Sequence, residues 1–395
     1  MLTSVSEASS HILYSVSQRI FQEKSILLKN ANGLITTRDI LADRDYPPYD
    51  RVMMDGICTS SLFDINSSLT IAGTINAGDS APRQLSQNEV WRINTGAALP
   101  DDCDLVIPVE ELSIVDNTVR ITTGFHPTPY QFVHKHGSDT KKGDTVLECG
   151  SLLNSATLSI AASVGALSVT ATRIPRICVL TTGQEAIPPD QSPTRLQIRR
   201  SHPTALATAL DSLGITNVSF HHLEDDEASM RALLKEEMQD NDVILTCGAI
   251  SKGSSDFLGK IFRDLLGAPI FHGVTQRPGR PLAFWNTEGA PLVFALPGNA
   301  LSTLVTFHRY VAPALESMMG YTYAPPALVQ VSHDLSDFPL TRFLPVCLNS
   351  PTEATLLNPQ NSGDFSQLAG SHGFVEIPLG TPPASPSTLP YYPWL

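Results

Sequence analysis

Charged side chains are scarce in this sequence. They make up 16% of its 395 residues, against roughly 25% in an ordinary globular chain. Cations are the scarcer sign, with 26 Lys and Arg against 39 Asp and Glu, for a formal net charge of −13. Such a chain is repelled overall by a phosphate backbone or an anionic lipid surface, so neither nucleic acid nor membrane is an expected partner. A local basic pocket for one small anion stays open. No apolar run approaches the roughly 20 residues that span a bilayer. The first residues, Met1 to Ser10, lack the basic and apolar regions of a signal peptide, so a cytoplasmic protein is expected. Six cysteines, at 58, 103, 149, 178, 247 and 347, form no C-x-x-C pair, which argues against a zinc ribbon or a dithiol motif. Reduced, mostly buried thiols are the expectation.

What is present points to several domains. The length exceeds one ordinary core, the hydrophobic share is 42%, and 30 prolines imply many ordered turns. An N-terminal helix is expected through Ile12 to Phe21. Residues 41–137 are rich in β-branched residues and turns, as at 68–76, 119–123 and 131–133, and predict a mostly β domain. Residues 1–40 and 138–172 form a discontinuous N-terminal or linker domain, with a helix over 156–164 stopped at Gly165 and a strand over 167–170. Over 173–322 strands and helices alternate. Apolar runs at 177–180, 243–245 and 292–296 each end in a glycine-containing loop. Helices follow Pro203, Asp256 and Asn299. This predicts a three-layer α/β domain with a largely parallel sheet, whose ligands sit at the carboxyl ends of the strands. Residues 323–395 predict a small C-terminal β domain, with strands at 327–331, 343–348 and 374–377 and an extended proline-rich tail from Gly380.

Four loops carry chemistry-bearing residues. In Leu296-Pro297-Gly298-Asn299-Ala300-Leu301-Ser302 a strand turns into a helix. Free N–H groups there favour an anion and Ser302 adds a hydroxyl, although an ordinary β–α turn has the same form. Gly248 to Asp256 lacks P-loop and dinucleotide spacing but offers backbone donors, Ser251 and Lys252, while Asp256 suits a helix cap. Arg277-Pro278-Gly279-Arg280-Pro281 puts two guanidinium groups on a stiff turn, suited to an oxyanion or to solvent. Asp55, Asp139 and Glu185 each stand at a glycine-containing turn, where a carboxylate holds magnesium or forms the turn. His221-His222, read as part of an exposed acidic connector, lacks a defensible metal-ligand spacing.

Together, in order along nearly the whole chain, these segments resemble the MoeA family, which includes the E domain of gephyrin. Pro47-Pro48-Tyr49-Asp50 with Met54-Asp55-Gly56 resembles P-P-F-D and M-D-G-Y-A. Arg92 to Ala97 with Pro100 resembles R-I-x-T-G-A-x-x-P, and Asp104 to Glu111 the acidic stretch after it. Gly137-Ser138-Asp139 with Lys142-Gly143-Asp144 resembles G-E-D and K-G-D. Thr182 to Glu185 resembles S-T-G-D-E, Gly248 to Asp256 resembles G-G-V-S-V-G-x-x-D, Arg277 to Pro281 resembles K-P-G-K-P, and Leu296 to Ser302 resembles L-P-G-N-P-V-S.

The resemblance implies a four-part, elongated subunit that forms a homodimer, with its active site between the α/β domain of one subunit and the β domain of the other. It implies a transferase that inserts molybdate-derived molybdenum into adenylylated molybdopterin and releases AMP, assisted by Mg2+. On this resemblance Asp55, Thr95, Asp139, Glu185 and Asp256 are the catalytic set, and Asp55, Glu185 and Asp256 the metal-binding one. Gly248, Ser251, Lys252, Arg277, Arg280, Pro297, Gly298, Asn299 and Ser302 hold the anionic substrate.

This chain also departs from the family. The segment G-Q-I-Y-D-S-N stands here as Leu196-Gln197-Ile198-Arg199-Arg200-Ser201-His202, so that Arg200 replaces an acidic residue. The glycine pair becomes Gly248-Ala249, both lysines of K-P-G-K-P become arginine, and the aromatic after M-D-G becomes Ile57. A guanidinium in place of a carboxylate reverses charge where a cation is expected. Arg199 and Arg200 are therefore expected to face the anion pocket beside Arg277 and Arg280. The alternative function is a divergent relative that acts on another anionic or nucleotide-linked substrate, or a non-catalytic binding scaffold.

Overall fold

The computed structural model describes residues 2–19, 21–64, 67–80, 84–224, 226–248, 257–332, 338–357, 361, 364–380 and 386–395. The chain forms two compact units, Met1–Ser25 with Gly33–Thr37 and Thr170–Leu395, and Ile26–Asn32 with Arg38–Val169. Helix α1 (Val5–Ser17) opens the larger unit, earlier than apolar spacing alone predicts. Ser4 and Glu7 explain the start. The Ser4 hydroxyl accepts from Glu7 N, and Glu7 Oε2 accepts from Ser4 N at 2.9 Å, a reciprocal N-terminal cap. Val5, Ala8, Ile12 and Val16 then line one face and enter the larger unit's core.

The smaller unit is built on a six-stranded sheet of β1 (Gly56–Thr59), β2 (Leu69–Ile75), β3 (Glu89–Ile93), β4 (Leu105–Pro108), β5 (Leu112–Val115) and β6 (Thr118–Ile121), in the order β4-β1-β3-β2-β6-β5. Strands β2 and β3 are parallel; the other neighbours are antiparallel. Alternating side chains fill two apolar clusters, one with Cys58, Trp91 and Ile93, the other with Ile57, Val90 and Ile107. Helix α2 (Ser155–Ser163) is capped by Asn154 and is followed by Gly165 at φ +79°.

The sheet of the larger unit comprises β7 (Ile177–Thr182), β8 (Val218–Leu223), β9 (Val243–Cys247), β10 (Phe271–His272), β11 (Ala283–Trp285) and β12 (Leu292–Leu296), in the order β8-β7-β9-β12-β11-β10. The first four are parallel and the last two antiparallel. Helices α3 (His202–Ser212), α4 (Glu227–Asp240), α5 (Phe257–Leu266) and α6 (Ala300–Thr306) follow the parallel strands β7, β8, β9 and β12. Strands β7, β9 and β12 are buried nearly throughout, as a sheet covered on both faces requires. The chain leaves β7 for β8 on one side and places β9 on the other. The carboxyl ends of β7 and β9 therefore flank a switch point, the usual place for a ligand.

Two expectations are corrected here. His221-His222 does not lie on an exposed connector. It lies within β8, half-buried, because parallel pairing with β7 satisfies a backbone whose side chains are too polar to announce a strand. The tail is not merely extended. Residues Ser387–Pro393 form a strand of a closed five-stranded ring: β13 (Ala327–Ser332), β14 (Thr341–Ser350), β15 (Glu353–Leu356), β16 (Gly373–Ile377) and β17 (Ser387–Pro393) run β14-β15-β13-β17-β16, and β16 pairs back to β14. The short strand Gln276–Arg277 joins β14 in parallel, Arg277 opposite Arg342.

Candidate functional site

The loops after β7, β9 and β12 pack at one edge of the sheet in the larger unit. Gly248, at φ +94°, leaves so little room that an added Cβ would stand 3.0 Å from Thr182 Oγ1. A Cβ on Gly298 would stand 3.3 Å from Gly248 Cα. Gly248 N also donates to Leu296 O at 3.1 Å. Small residues thus let three backbones converge, which larger ones would prevent.

Beside these loops lies a cavity of about 420 Å3, lined among others by Arg277, Arg280, Pro297, Gly298, Asn299 and Ser302. Six of the residues that the resemblance implies for substrate binding therefore line one cavity. The arginine turn is held from below. Buried Gln276 donates through Nε2 to Pro278 O at 3.1 Å and accepts from the Tyr310 hydroxyl. Gly279, at φ +87°, has Thr306 Cγ2 2.5 Å from where a Cβ would lie. Thr306 in turn donates to Ser302 O at 2.8 Å, and Thr303 Oγ1 to Asn299 O at 3.1 Å. Arg277 and Arg280 are exposed, so the cavity offers two solvated cations over a braced turn, suited to phosphate or another oxyanion.

Arg199 and Arg200 are not part of that lining. They line a separate cavity of about 510 Å3 with Ser201, Thr204, His308 and Trp394, among others. The expected convergence of four arginines on one cleft is therefore corrected. The cause is a short parallel ribbon: Ala186 pairs with Ile198 and Ile187 with Arg199, while Arg200 N donates to Ile187 O at 2.9 Å. This ribbon ties the double arginine to the stretch after Glu185. Glu185 is exposed, its carboxylate near Gly183, where a Cβ would meet Oε1 at 2.8 Å. His222 joins this edge, its Nδ1 3.0 Å from Thr181 Oγ1. Burial pushes the His222 imidazole below its ordinary range and Arg200 pushes the same way, against the Gly183 backbone, Glu185 and Glu224.

In the smaller unit Asp55 and Thr95 meet. Asp55 Oδ1 accepts from Thr95 N at 2.7 Å and from Thr95 Oγ1 at 2.8 Å. The pairing of Gly56 with Ile93 brings these distant residues together. The Thr95 backbone bond, then its hydroxyl, holds the Asp55 carboxyl below the usual carboxylate range, and Arg92 adds to the effect. Asp139 has other partners. Its Oδ1 stands 2.6 Å from His134 Nε2, whose Nδ1 is 3.0 Å from an Arg51 guanidinium nitrogen.

Ser251, Lys252 and Asp256 lie outside the described residues. Sequence reasoning set His222 aside with His221 and gave His202 no role. His202 Nε2 is buried without a hydrogen-bond partner among the described residues, and burial lowers its pKa against the opposing Gly298 backbone. Its only signal in the sequence is its place directly after Arg-Arg-Ser, at the start of a helix.

A largely parallel α/β sheet with a glycine-lined carboxyl edge, beside a cavity lined by two arginines, is the architecture of an α/β protein whose ligand site lies at the strand ends. Residues 178–317 match the family model described as a probable molybdopterin binding domain, and residues 3–165 match the MoeA N-terminal region (domain I and II). A molybdopterin molybdenumtransferase of Synechocystis sp. is 35% identical over 384 residues, covering 95% of this chain and 96% of the relative. One of Haemophilus influenzae is 31% identical over 301 residues, 76% and 74% of the two chains. The crystal structure of a molybdopterin biosynthesis MoeA protein from Pyrococcus horikoshii superposes with a TM-score of 0.83 at 25% identity, covering 100% of both chains. The chain belongs to the MoeA family.

Proposed function

We propose that this protein is a molybdopterin molybdenumtransferase, which takes up molybdate, inserts its molybdenum at the dithiolene of adenylylated molybdopterin and releases AMP. The observation that carries the reading is the braced pocket, where Arg277, Arg280, Asn299 and Ser302 line one cavity in a chain 35% identical along its length to a protein of that name. The two guanidinium groups take the negative charge of phosphate or molybdate oxygens, and Ser302 presents a hydroxyl. Arginine in place of lysine at both positions keeps the charge and adds a planar fork.

Magnesium is the assisting cation of this reading. Asp55 suits it: the carboxylate is exposed and held ionised, Oδ1 is taken by Thr95, and Oδ2 has no hydrogen-bond partner among the described residues. Glu185 offers a second exposed carboxylate. When bound, the ion would neutralise charge on substrate oxygens.

The test is molybdate-dependent release of AMP from adenylylated molybdopterin by the purified protein. Turnover is the expected result. A specific observation favours the second reading, an altered anionic substrate: Arg200 stands with His222 and Glu185 where relatives of the resemblance carry an acid. A wild type that releases no AMP, with release appearing in Arg200→Asp, overturns the first reading in favour of the second.

The reading also includes a homodimer located in the cytoplasm. No helix among the described residues is long and apolar enough to cross a membrane. Sedimentation at micromolar concentration is expected to give twice the chain mass of 42.7 kDa. A stable monomer that retains turnover contradicts the dimer.

A further inference from the structure

Three ligand-type side chains from three elements meet at the β8 edge of the larger unit's sheet. Cys178 on β7 lies opposite Ser219 on β8, and Leu180 opposite His221. Side chains alternate along a strand, so Cys178, Leu180, Ser219 and His221 share one face, and His222 takes the other. Helix α4 covers the first face, with Met230 and Leu234 packed in the cluster that holds Cys178 and Leu180. Glu237, one turn beyond Leu234, points to the same face. The Cys178 thiol, a His221 ring nitrogen and a Glu237 carboxylate oxygen all lie within 4.8 Å of one another.

We propose that Cys178, His221 and Glu237 bind a zinc ion that clamps helix α4 to the edge of the sheet. The donor set, a sulfur, an imidazole and a carboxylate, is one that zinc accepts readily and that magnesium or calcium does not. Tetrahedral zinc, with Zn–S near 2.3 Å and Zn–N or Zn–O near 2.0–2.1 Å, needs ligand atoms about 3.3–3.6 Å apart. His221 Nε2 now stands 2.9 Å from Glu237 Oε1, so a shift of a few tenths of an ångström opens the seat.

Two further observations point the same way. His221 Nε2 is itself cut off from solvent and has no well-directed hydrogen bond among the described residues. Outer partners fix the carboxylate: Ser219 Oγ donates to Glu237 Oε2 at 3.0 Å and Asn241 Nδ2 donates to it at 2.8 Å, leaving Oε1 for a metal. The His221 side chain as a whole is one-third exposed, so the cluster lies close to the surface, where a small movement of the ring would admit an ion and a water as fourth ligand. Burial pushes the Cys178 thiol up to about 12. The Zn–S bond therefore forms as the S–H bond gives its proton to solvent. Neither the pocket arginines nor Asp55 takes part, and the proposal stands apart from the molybdenum chemistry.

The full chain, purified without a histidine tag, is loaded with Zn2+, desalted and assayed for metal; a second sample is loaded with Co2+ and its absorption recorded. One zinc ion per chain is expected, along with tetrahedral cobalt bands and a thiolate-to-cobalt charge-transfer band in the near ultraviolet. Cys178→Ser should lose that band and Glu237→Gln should weaken retention, whereas Cys149→Ser, at an exposed thiol, should keep both. Absence of the charge-transfer band in wild type overturns the proposal without any variant. So does substoichiometric zinc, or a band that survives in folded Cys178→Ser.

Discussion

Asp55→Ala is expected to lower molybdate-dependent AMP release by at least about a hundred-fold, the scale on which loss of one preorganised charged group acts. The fold should persist. Asp55 is exposed, and its partners are a backbone N–H and a hydroxyl of Thr95, both of which water can satisfy. Its carboxyl is held below the usual carboxylate range by the Thr95 backbone and hydroxyl, so the charge is kept to lower pH than on a free carboxylate and is lost only as pH falls through the folded-state value. Asp55→Asn separates the roles. It keeps an oxygen for Thr95 and removes the charge, so a chemical role predicts that it is nearly as inactive as alanine. Circular dichroism and thermal melting of both variants accompany the assay. Wild-type turnover in Asp55→Ala makes the residue a turn former only, and an unfolded variant assigns it a structural role.

The neighbouring position is expected to behave in the opposite way. Gly56→Ala should cost more than about 3 kcal/mol of unfolding free energy, above the usual range for an overpacked core. A Cβ at Gly56 would lie 1.9 Å from Ile107 O and 3.0 Å from Pro108 Cα, both backbone atoms of the adjacent strand β4. No rotamer change relieves that clash, so β1 must leave β4 and open the sheet. Gly370→Ala is the control, because nothing lies within 4 Å of its added methyl. Urea unfolding measures both. Gly56→Ala at parental stability would mean that β1 and β4 separate at little cost, contrary to the packing described.

Much of the fold was legible where side-chain pattern and burial agree. Leu292–Leu296 has the predicted bounds because it is apolar throughout and stopped by Pro297-Gly298. Strand β8 was hidden because Ser219, His221 and His222 interrupt its apolar signal, and its half-buried face is specified by α4 rather than by its own composition. Strand β17 was hidden by its prolines, yet Pro390 lies opposite Leu328 and Pro393 opposite Gly373 within the ring. Tertiary pairing overrode local preference at both. Within the site, the ordered motifs pointed to Arg277, Arg280 and Ser302 as neighbours. Sequence could not place Arg199 and Arg200, because the ribbon that carries them off depends on backbone pairing with Ala186 and Ile187, which leaves no trace in residue type.

The β13–β17 ring ties the strand that carries Arg277 to residues made much later in the chain. Arg277 belongs to a short strand whose register is held by Thr341 and Arg342 of β14. Strand β14 pairs with β16, and β16 with β17, whose residues are the last of the ring to be synthesised. During translation the glycine loops of the parallel sheet are complete while this ring still lacks its final stave. The residues that brace the arginine turn, Gln276, Tyr310 and Thr306, are therefore made before the strand that Gln276–Arg277 pairs with. Contacts so distant in sequence form slowly. Phe343 and Phe374 of the ring also lie in the core cluster of the parallel sheet, so the strand that carries Arg277 and the sheet beside it are completed by the same late-made residues.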